Sequence, residues 1–316
     1  MGSVKTFDQI TKEWLSEVLG EPISGFEMKT EESNWARHAR IAAHQSTGGV
    51  RKLWFKLCLH PKLGRSEVDY YLRDYVELVD PPLVPCYDAG YEPGVGYHLL
   101  LADLSEDFHD RKVVPPTLDH GIAIAEAIAC LHRVYWETGS PRKESDWEPE
   151  FAALRPGLPI MERAAGQEMT TRFNEHARKL SKRWSEPTGL TLLHGDINPT
   201  NVLTPKNADA PVYFLDRQPL DGVTTYGLAV YDLAYAIAPW WPRDFRMETE
   251  TQILRSWFET LQQPTYSWEQ AQADWALSVE HCLHVPLGYC VTEEMAEEKS
   301  WLWKWQLGNQ LGEVVS

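Results

Sequence analysis

The sequence predicts an α+β fold, with a small antiparallel β-rich lobe over residues 1–102 and a larger, mainly helical lobe over residues 103–316. In the first lobe, short apolar runs of strand length alternate with turn residues. In the second lobe, apolar residues recur at the three- and four-residue spacing of helices. Hydrophobic residues make up 43% and charged residues 24% of the chain, which is typical of a globular protein and excludes a disordered chain or a coiled coil.

The elements of the first lobe follow from periodicity and turn chemistry. A helix is predicted over residues 5–20, where Ile10, Trp14 and Val18 recur on one side. A second helix, over residues 66–79, follows the third strand and is ended by two consecutive prolines. Strands are predicted over residues 25–29, 39–43, 53–59, 84–91 and 96–101.

The second lobe is predicted to be helical except for one short β interruption over residues 190–216. Its clearest helix, over residues 118–135, carries Ile124, Ile128 and Leu131 as an apolar stripe. Further helices are predicted over residues 161–185 and 226–238 and through the Trp-rich C-terminal third. Within the β interruption, the apolar runs 202–203 and 212–215 predict a hairpin.

The net charge argues against two classes of partner, and the cysteine content indicates the compartment. The formal net charge is −16, and such a surface repels phosphate backbones, so we expect no nucleic-acid partner and no binding to an anionic membrane. No apolar stretch reaches the roughly 20 residues of a membrane helix. The five cysteines are odd in number and form no CxxC pair, which favours reduced thiols in a cytoplasmic protein. We expect a monomer or a homodimer.

The most informative segment is residues 190–216, LTLLHGDINPTNVLTPKNADAPVYFLD. Asp196 lies in the loop after an apolar run, Asn201 starts one strand of the predicted hairpin, and Asp216 ends the other. Phosphoryl transfer needs one carboxylate to accept a proton from the attacking hydroxyl and two oxygen ligands for Mg²⁺. The alternative is that these are ordinary turn residues, but their combined spacing favours the functional interpretation.

The run HGDINPTNVL, followed by FLD and then YDLAYAI, resembles the superfamily of aminoglycoside phosphotransferases and choline kinase-like proteins. The resemblance covers most of the chain from about residue 24 to 257. It implies the bilobal protein-kinase-like fold, with nucleotide bound by the first lobe and a catalytic hairpin and acceptor pocket in the second. It also implies that Asp196 is the catalytic base and that Asn201 and Asp216 hold Mg²⁺, while His194 and Asp232 support the site.

The first lobe supplies an independent indication. Lys56 stands inside an apolar strand, where a charge is costly unless it is paired, and Glu67 follows on the inward face of the next helix. In kinases a strand lysine contacts phosphates and pairs with a helix glutamate. The alternative is a lysine whose stem lies along the sheet while its head reaches water.

Other nucleotide contacts are less specific. The loop over residues 30–38 has no glycine; Ser33 and Asn34 offer hydrogen-bond donors and Arg37 could reach a phosphate, although a solvated loop is an equal alternative. The segment Leu101, Ala102 and Asp103 resembles the family hinge, whose main chain holds the adenine edge.

The residue after Asp216 departs from the family pattern, because relatives often carry Trp or Gly where this chain has Arg217. Its guanidinium could pair with phosphate or with an acidic neighbour, or point to solvent. For the acceptor pocket the candidates are Trp240, Trp241 and Asp244, with core packing as the alternative for the two rings.

The expected function is therefore an Mg²⁺-dependent transfer of the γ-phosphate of ATP, or of GTP, to a hydroxyl of a small molecule. The acceptor is an antibiotic of aminoglycoside or nucleoside type or, alternatively, a metabolic sugar or an amino alcohol such as choline. A second alternative is a non-catalytic nucleotide-binding module on the same fold. HGD in place of HRD and the missing GxGxxG argue against a protein kinase.

Overall fold

The computed structural model describes residues 3–32, 36–109, 115–165, 168–207, 210–218 and 226–312. The chain packs into two compact units, one formed by residues 1–114 and 201–223 and the other by residues 115–200 and 224–316. The hairpin that carries Asn201 and Asp216 thus packs with the N-terminal sheet. The lobe boundary after residue 102 stays a prediction.

The elements run in the following order. The N-terminal part contains α1 (Lys12–Leu19), β1 (Ile23–Glu32), β2 (Arg37–Gln45), β3 (Val50–Cys58), α2 (Ser66–Asp69, continued by a π-helical turn Tyr70–Asp74), β4 (Cys86–Glu92) and β5 (Gly96–Ala102). The remainder contains α3 (Leu118–Val134), α4 (Glu148–Leu154), α5 (Leu158–Ala165), α6 (Met169–Trp184), β6 (Leu190–Leu192), β7 (Val202–Leu203), β8 (Tyr213–Phe214), β9 (Tyr226–Leu228), α7 (Val230–Ile237), α8 (Arg243–Leu261), α9 (Trp268–His281), α10 (His284–Gly288), α11 (Glu293–Glu298) and α12 (Ser300–Leu311).

The first unit is built on an antiparallel sheet with strand order β1-β2-β3-β5-β4. Strand β3 alternates strictly between its two faces. Its odd-numbered residues Leu53, Phe55 and Leu57 are fully buried and pack in one cluster with Leu15 of α1. Its even-numbered residues Trp54 and Lys56 therefore lie on the opposite face. The predicted α+β class with an antiparallel N-terminal sheet is confirmed.

The second unit is mainly helical, and α3 packs along α8. Gly121 permits this close approach, because a Cβ there would lie 2.5 Å from Ile253 Cδ1. Strands β6 and β9 pair next to the start of α7 and present the loop 193–200. Among the described residues, no helix has both the length and the apolar character required to cross a bilayer.

Four predicted helices differ from the structure. The helix predicted over residues 5–20 begins only at Lys12, because the Thr11 side chain caps α1 and Phe7–Gln9 form a separate 3-10 turn. The helix predicted over residues 66–79 ends at Asp74, because Tyr75 adopts φ −129° and the following Val76 and Val79 are exposed and form no buried stripe. The helix predicted over residues 161–185 is two helices, and the Thr170 N–H at the start of α6 donates to Glu162 Oε1 at 2.8 Å.

The helix predicted over residues 226–238 begins only at Val230. Its first residues, Tyr226–Leu228, form β9 instead. Leu228 pairs with Leu190, and both are buried. Pairing with β6 therefore outweighs the helical periodicity at this point, which the sequence pattern alone does not indicate.

Two glycines, Gly94 in the turn after β4 and Gly96 at the start of β5, differ in the space around them. Both have positive φ, but a Cβ at Gly96 would lie 1.9 Å from Cys58 O, whereas one at Gly94 meets nothing within 4 Å. Gly94→Ala should cost about 1 kcal/mol of unfolding free energy through backbone strain. Gly96→Ala should cost about 3 kcal/mol or more, since β3 must also move. Equal losses in urea denaturation would contradict this account.

Candidate active site

The first unit contains a cavity of about 680 Å³. Lys56 and Asp216 line it together with the segment Leu101 to Ser105. Apolar contacts come from Val84, Leu203 and Leu215. A cavity of this volume that is lined by both charged and apolar groups suits a small molecule with an ionic part and an apolar part.

Lys56 is held between two carboxylates in this cavity. Its Nζ lies 2.8 Å from Glu67 Oε2 and 3.0 Å from Asp216 Oδ1. The lysine and glutamate side chains are 9% and 1% exposed, whereas Asp216 is 41% exposed. Tyr97 Oη also donates to Glu67. The predicted pair of Lys56 with Glu67 is therefore present, and Asp216 joins it.

Burial by itself lowers the pKa of Lys56, but the carboxylates of Asp216 and Glu67 outweigh burial and hold this pKa above its ordinary value. The ammonium group is thus charged at physiological pH. A buried cation that faces a cavity is a ready site for an anionic ligand such as a phosphate group.

Asn201 and Asp216 lie close together through the pairing of β7 with β8. Val202 is opposite Phe214, and the Leu215 N–H donates to the Asn201 carbonyl at 2.9 Å. Asp216 has φ 59°, in the left-handed region, a strained conformation that is concentrated at functional sites. These two side chains are the predicted metal ligands.

The donor set fits Mg²⁺. It offers a carboxylate that lines the cavity and a neighbouring amide oxygen, and Mg²⁺ takes few protein ligands while keeping waters and phosphate oxygens. Among the described residues, no group of three or more His, Cys, Asp or Glu is arranged to hold a metal ion. A dedicated site for a transition metal is thus not found in the part of the chain that the structure describes.

Trp54 is a cavity residue that the sequence analysis does not identify. It lies two residues before Lys56 on the same face of β3, and it lines the cavity. The ring of His38 lies 5.1 Å from its ring, and the Arg40 guanidinium lies 4.8 Å above it. Strand alternation relative to Lys56 is the signal that would have identified this residue.

Arg37 lies on the other face of the sheet. Its guanidinium is 4.6 Å from the ring of Phe7, which belongs to the core beneath α1. His38 and Arg40 line the cavity instead. The predicted phosphate-loop residues Ser33 and Asn34 lie outside the described residues.

The segment Leu101, Ala102 and Asp103 lines the cavity as well. The Ala102 N–H donates to the Pro85 carbonyl at 2.9 Å, and the Asp103 N–H donates to the Lys52 carbonyl at 3.1 Å. Asp103 also accepts a hydrogen bond from Arg40 at 3.2 Å. The N–H groups of Ala102 and Asp103 are thus already used within the unit.

In the second unit, the buried carboxylate of Asp232 organises the loop before Asp196. Its Oδ2 accepts from the His194 N–H at 2.7 Å, and its Oδ1 accepts from the Gly195 N–H at 3.0 Å. His132 Nε2 lies 3.2 Å from Oδ2. Because Trp257 donates its indole N–H to His132 Nδ1, the imidazole proton is on Nε2 and points at Asp232.

Asp196 lies at the end of this loop and is half-buried. Its Oδ1 accepts from Asn198 Nδ2 and from Tyr235 Oη, each at 3.0 Å, and its N–H donates to His194 Nδ1 at 3.3 Å. Burial and the nearby negative charge of Asp196 hold the pKa of Tyr235 well above its ordinary value. The Tyr235 hydroxyl is therefore a permanent donor that fixes the carboxylate.

The three acceptor-pocket candidates occupy different environments. Trp240 is half-buried, donates its indole N–H to the Tyr235 carbonyl at 2.8 Å, and lies 6.1 Å from the ring of Trp305. Trp241 is buried and packs against Phe245 at 5.8 Å. Asp244 is exposed in the first turn of α8. Trp240 alone of these three contacts a neighbour of Asp196.

The Asp232 network makes a prediction about stability and pH. Burial raises the pKa of Asp232, but the hydrogen bonds from His132 and from the Gly195 N–H outweigh it, so the pKa lies below its ordinary value of 3.8. The stabilisation is therefore complete above pH 3.8 and is lost as the pH falls through the folded-state pKa. Asp232→Asn should cost about 3 kcal/mol of unfolding free energy at pH 7.

Urea denaturation from pH 7 downwards checks this prediction. The difference between wild type and Asp232→Asn should shrink only below pH 3.8. Asp119→Asn, at an exposed position in the first turn of α3, is the control and should change little. A difference between wild type and Asp232→Asn that is the same at every pH would show that Asp232 contributes through packing rather than charge.

Comparisons with known proteins bear on the family and the fold of the chain. A sequence model of the phosphotransferase enzyme family matches residues 103–271. No curated protein sequence matches the chain significantly.

Similar solved structures include a macrolide 2'-phosphotransferase from Brachybacterium faecium (15% identity, TM-score 0.53, covering 94% of this chain and 96% of that one). They also include an aminoglycoside-3'-phosphotransferase of type VIII (20% identity, TM-score 0.50, covering 81% and 93%). A third is a choline/ethanolamine kinase family protein from Mesorhizobium loti (12% identity, TM-score 0.50, covering 95% and 99%). At these identities the likeness shows the fold, which is protein-kinase-like.

Proposed function

The chain belongs to the phosphotransferase enzyme family, and from this premise we propose that it transfers the γ-phosphate of ATP, or of GTP, to a hydroxyl group of a small molecule. The observation that carries the proposal is the buried ammonium of Lys56, held by Glu67 beside Asp216 at the cavity. A buried charge of this kind is costly unless it is paired, and this one is paired with two carboxylates and also lines a cavity that can admit an anionic ligand.

The first unit binds the nucleotide in this proposal. Lys56 contacts its phosphates, and the flat base stacks on Trp54 near the segment Leu101 to Asp103. Asn201 and Asp216 hold Mg²⁺, which when bound neutralises charge on the phosphates. Because Asp216 Oδ1 lies 3.0 Å from Lys56 Nζ, the carboxylate would exchange part of this contact to hold the metal ion.

Asp196 orients the acceptor hydroxyl and accepts its proton. Tyr235 and Asn198 hold the carboxylate in one orientation, and Asp232 fixes the loop behind it. Catalysis by positioning and charge needs this kind of rigid support. We also propose that the protein is cytoplasmic, a proposal that its five free thiols support.

The acceptor is proposed from the surroundings of Asp196. The rings of Tyr235, Trp240 and Trp305 follow one another at 6.2 and 6.1 Å, and Trp305 is 47% exposed. Such a row suits a sugar ring or a cationic amine, and the net charge of −16 also favours a cation. An antibiotic, as in the names of two similar structures, is the first candidate, and a sugar or an amino alcohol is the second.

The stacking role of Trp54 is testable by binding alone. Trp54→Ala should weaken ADP binding about tenfold, because base–aromatic stacking contributes about 1–3 kcal/mol. Titration calorimetry with ADP and Mg²⁺ measures this effect. Trp301→Ala, at a 71% exposed position that does not line the cavity, is the matched control. Equal affinities of the Trp54 and Trp301 variants would remove Trp54 from the nucleotide site.

The catalytic role of Asp196 is testable by turnover. ADP and GDP release should be measured with Mg²⁺ across aminoglycosides, nucleoside antibiotics, sugars and amino alcohols. Acceptor-dependent release should fall about a thousandfold in Asp196→Ala, since the proton acceptor is lost, while nucleotide binding is retained. Release that is unchanged in Asp196→Ala would contradict the mechanism. Nucleotide binding without release for any acceptor would favour the non-catalytic module.

A further inference from the structure

Arg217, the residue that departs from the family pattern, is buried and fully engaged. It is 2% exposed. Its Nε donates to Ser66 Oγ at 3.1 Å, its Nη1 lies 2.6 Å from Asp74 Oδ2, and its Nη2 donates to the Ser66 carbonyl. The guanidinium also lies 5.2 Å from the ring of Tyr70. Of the three roles left open by the sequence, the structure shows the pairing with an acidic neighbour.

These contacts all fall on the helical segment Ser66 to Asp74, which also carries Glu67. Ser66 begins this segment and Asp74 ends it. One planar guanidinium therefore joins both ends of the segment to the backbone that follows Asp216. The buried Asp74 carboxylate also accepts from Arg73 Nε at 2.8 Å, so its charge is shared between two arginines.

The contacts of Arg217 complete a closed chain of interactions within the first unit. Glu67 pairs with Lys56, and Lys56 pairs with Asp216. Arg217, the residue after Asp216, donates a hydrogen bond to Ser66, the residue before Glu67. Asp216 is thus held in two ways, by its carboxylate through Lys56 and by its backbone through Arg217. The second hold matters because the backbone of Asp216 is strained at φ 59°.

We propose that Arg217 is a positioning residue that keeps the Asp216 backbone in place when the Asp216 carboxylate exchanges part of its contact with Lys56 for Mg²⁺. This inference rests on the proposed function. Loss of Arg217 should therefore weaken the binding of Mg²⁺ more than it weakens the binding of the nucleotide at Lys56. A purely structural arginine would instead affect both equally.

The test compares Arg217→Met with Arg217→Lys and with the matched control Arg73→Met. Arg73 also donates to Asp74, but its side chain is 64% exposed and its second acidic partner is Asp69 on the same helical segment. Titration calorimetry should measure ADP binding without Mg²⁺ and the Mg²⁺ concentration that gives half-maximal enhancement of binding. The thermal unfolding midpoint of each variant reports whether it is folded.

The expected result for Arg217→Met is a rise of about tenfold or more in the Mg²⁺ midpoint, as for other residues that support a metal ligand. Binding of ADP without Mg²⁺ should stay within about twofold of wild type. Arg217→Lys should fall between the two, because an ammonium replaces only part of a guanidinium fork. Arg73→Met should match wild type.

An unchanged Mg²⁺ midpoint in Arg217→Met overturns the inference, as does an equal loss of ADP binding with and without Mg²⁺. An equal effect of Arg73→Met overturns it too. If Arg217→Met does not fold, the same comparison is decided by Arg217→Lys. Failure of the wild-type protein to bind ADP with Mg²⁺ would contradict the proposed function itself, and this inference would fall with it.

Discussion

The buried ammonium of Lys56 is the charge on which the first unit depends. A charged group at 9% exposure is stable only if opposite charges and hydrogen bonds surround it. Glu67 must therefore stay on the inner side of α2, and Asp216 must stay at the end of the β7–β8 hairpin. The alternation of β3 then fixes the rest, because the face that presents Lys56 also presents Trp54, while Phe55 and Leu57 form the core with α1.

A second buried charge has the same role in the second unit. Asp232 is 1% exposed, and its carboxylate oxygens accept hydrogen bonds from two backbone N–H groups of the HGD loop and from His132. Both units thus rely on a buried ionic or hydrogen-bonded group that would be costly alone. The residues proposed to meet reactants, Asp216 and Asp196, are next to these groups and more exposed than they are.

The sequence predicts the parts of this arrangement that leave a periodic or spaced signal. Strand alternation and the spacing of Lys56 from Glu67 predict their pairing, and the runs around Asn201 and Asp216 predict the hairpin. Tyr235 is not identified, because an aromatic residue in an apolar helix has the same pattern whether it packs or binds. Trp54 is also missed, although strand alternation places it on the same face of β3 as Lys56. The pairing of Arg217 with Asp74 is not predicted, because the two residues are distant in sequence and local patterns do not connect them.

The most direct measurement is a crystal structure of the protein with Mg²⁺ and a non-hydrolysable ATP analogue. We expect the phosphates at Lys56, the metal ion on Asn201 and Asp216, and the base against Trp54. A nucleotide bound outside the cavity, or a metal ion held by other residues, would contradict the assignment of this cavity as the nucleotide site. Phosphates that contact the Asp196 loop but not Lys56 would contradict the role given to the buried ammonium.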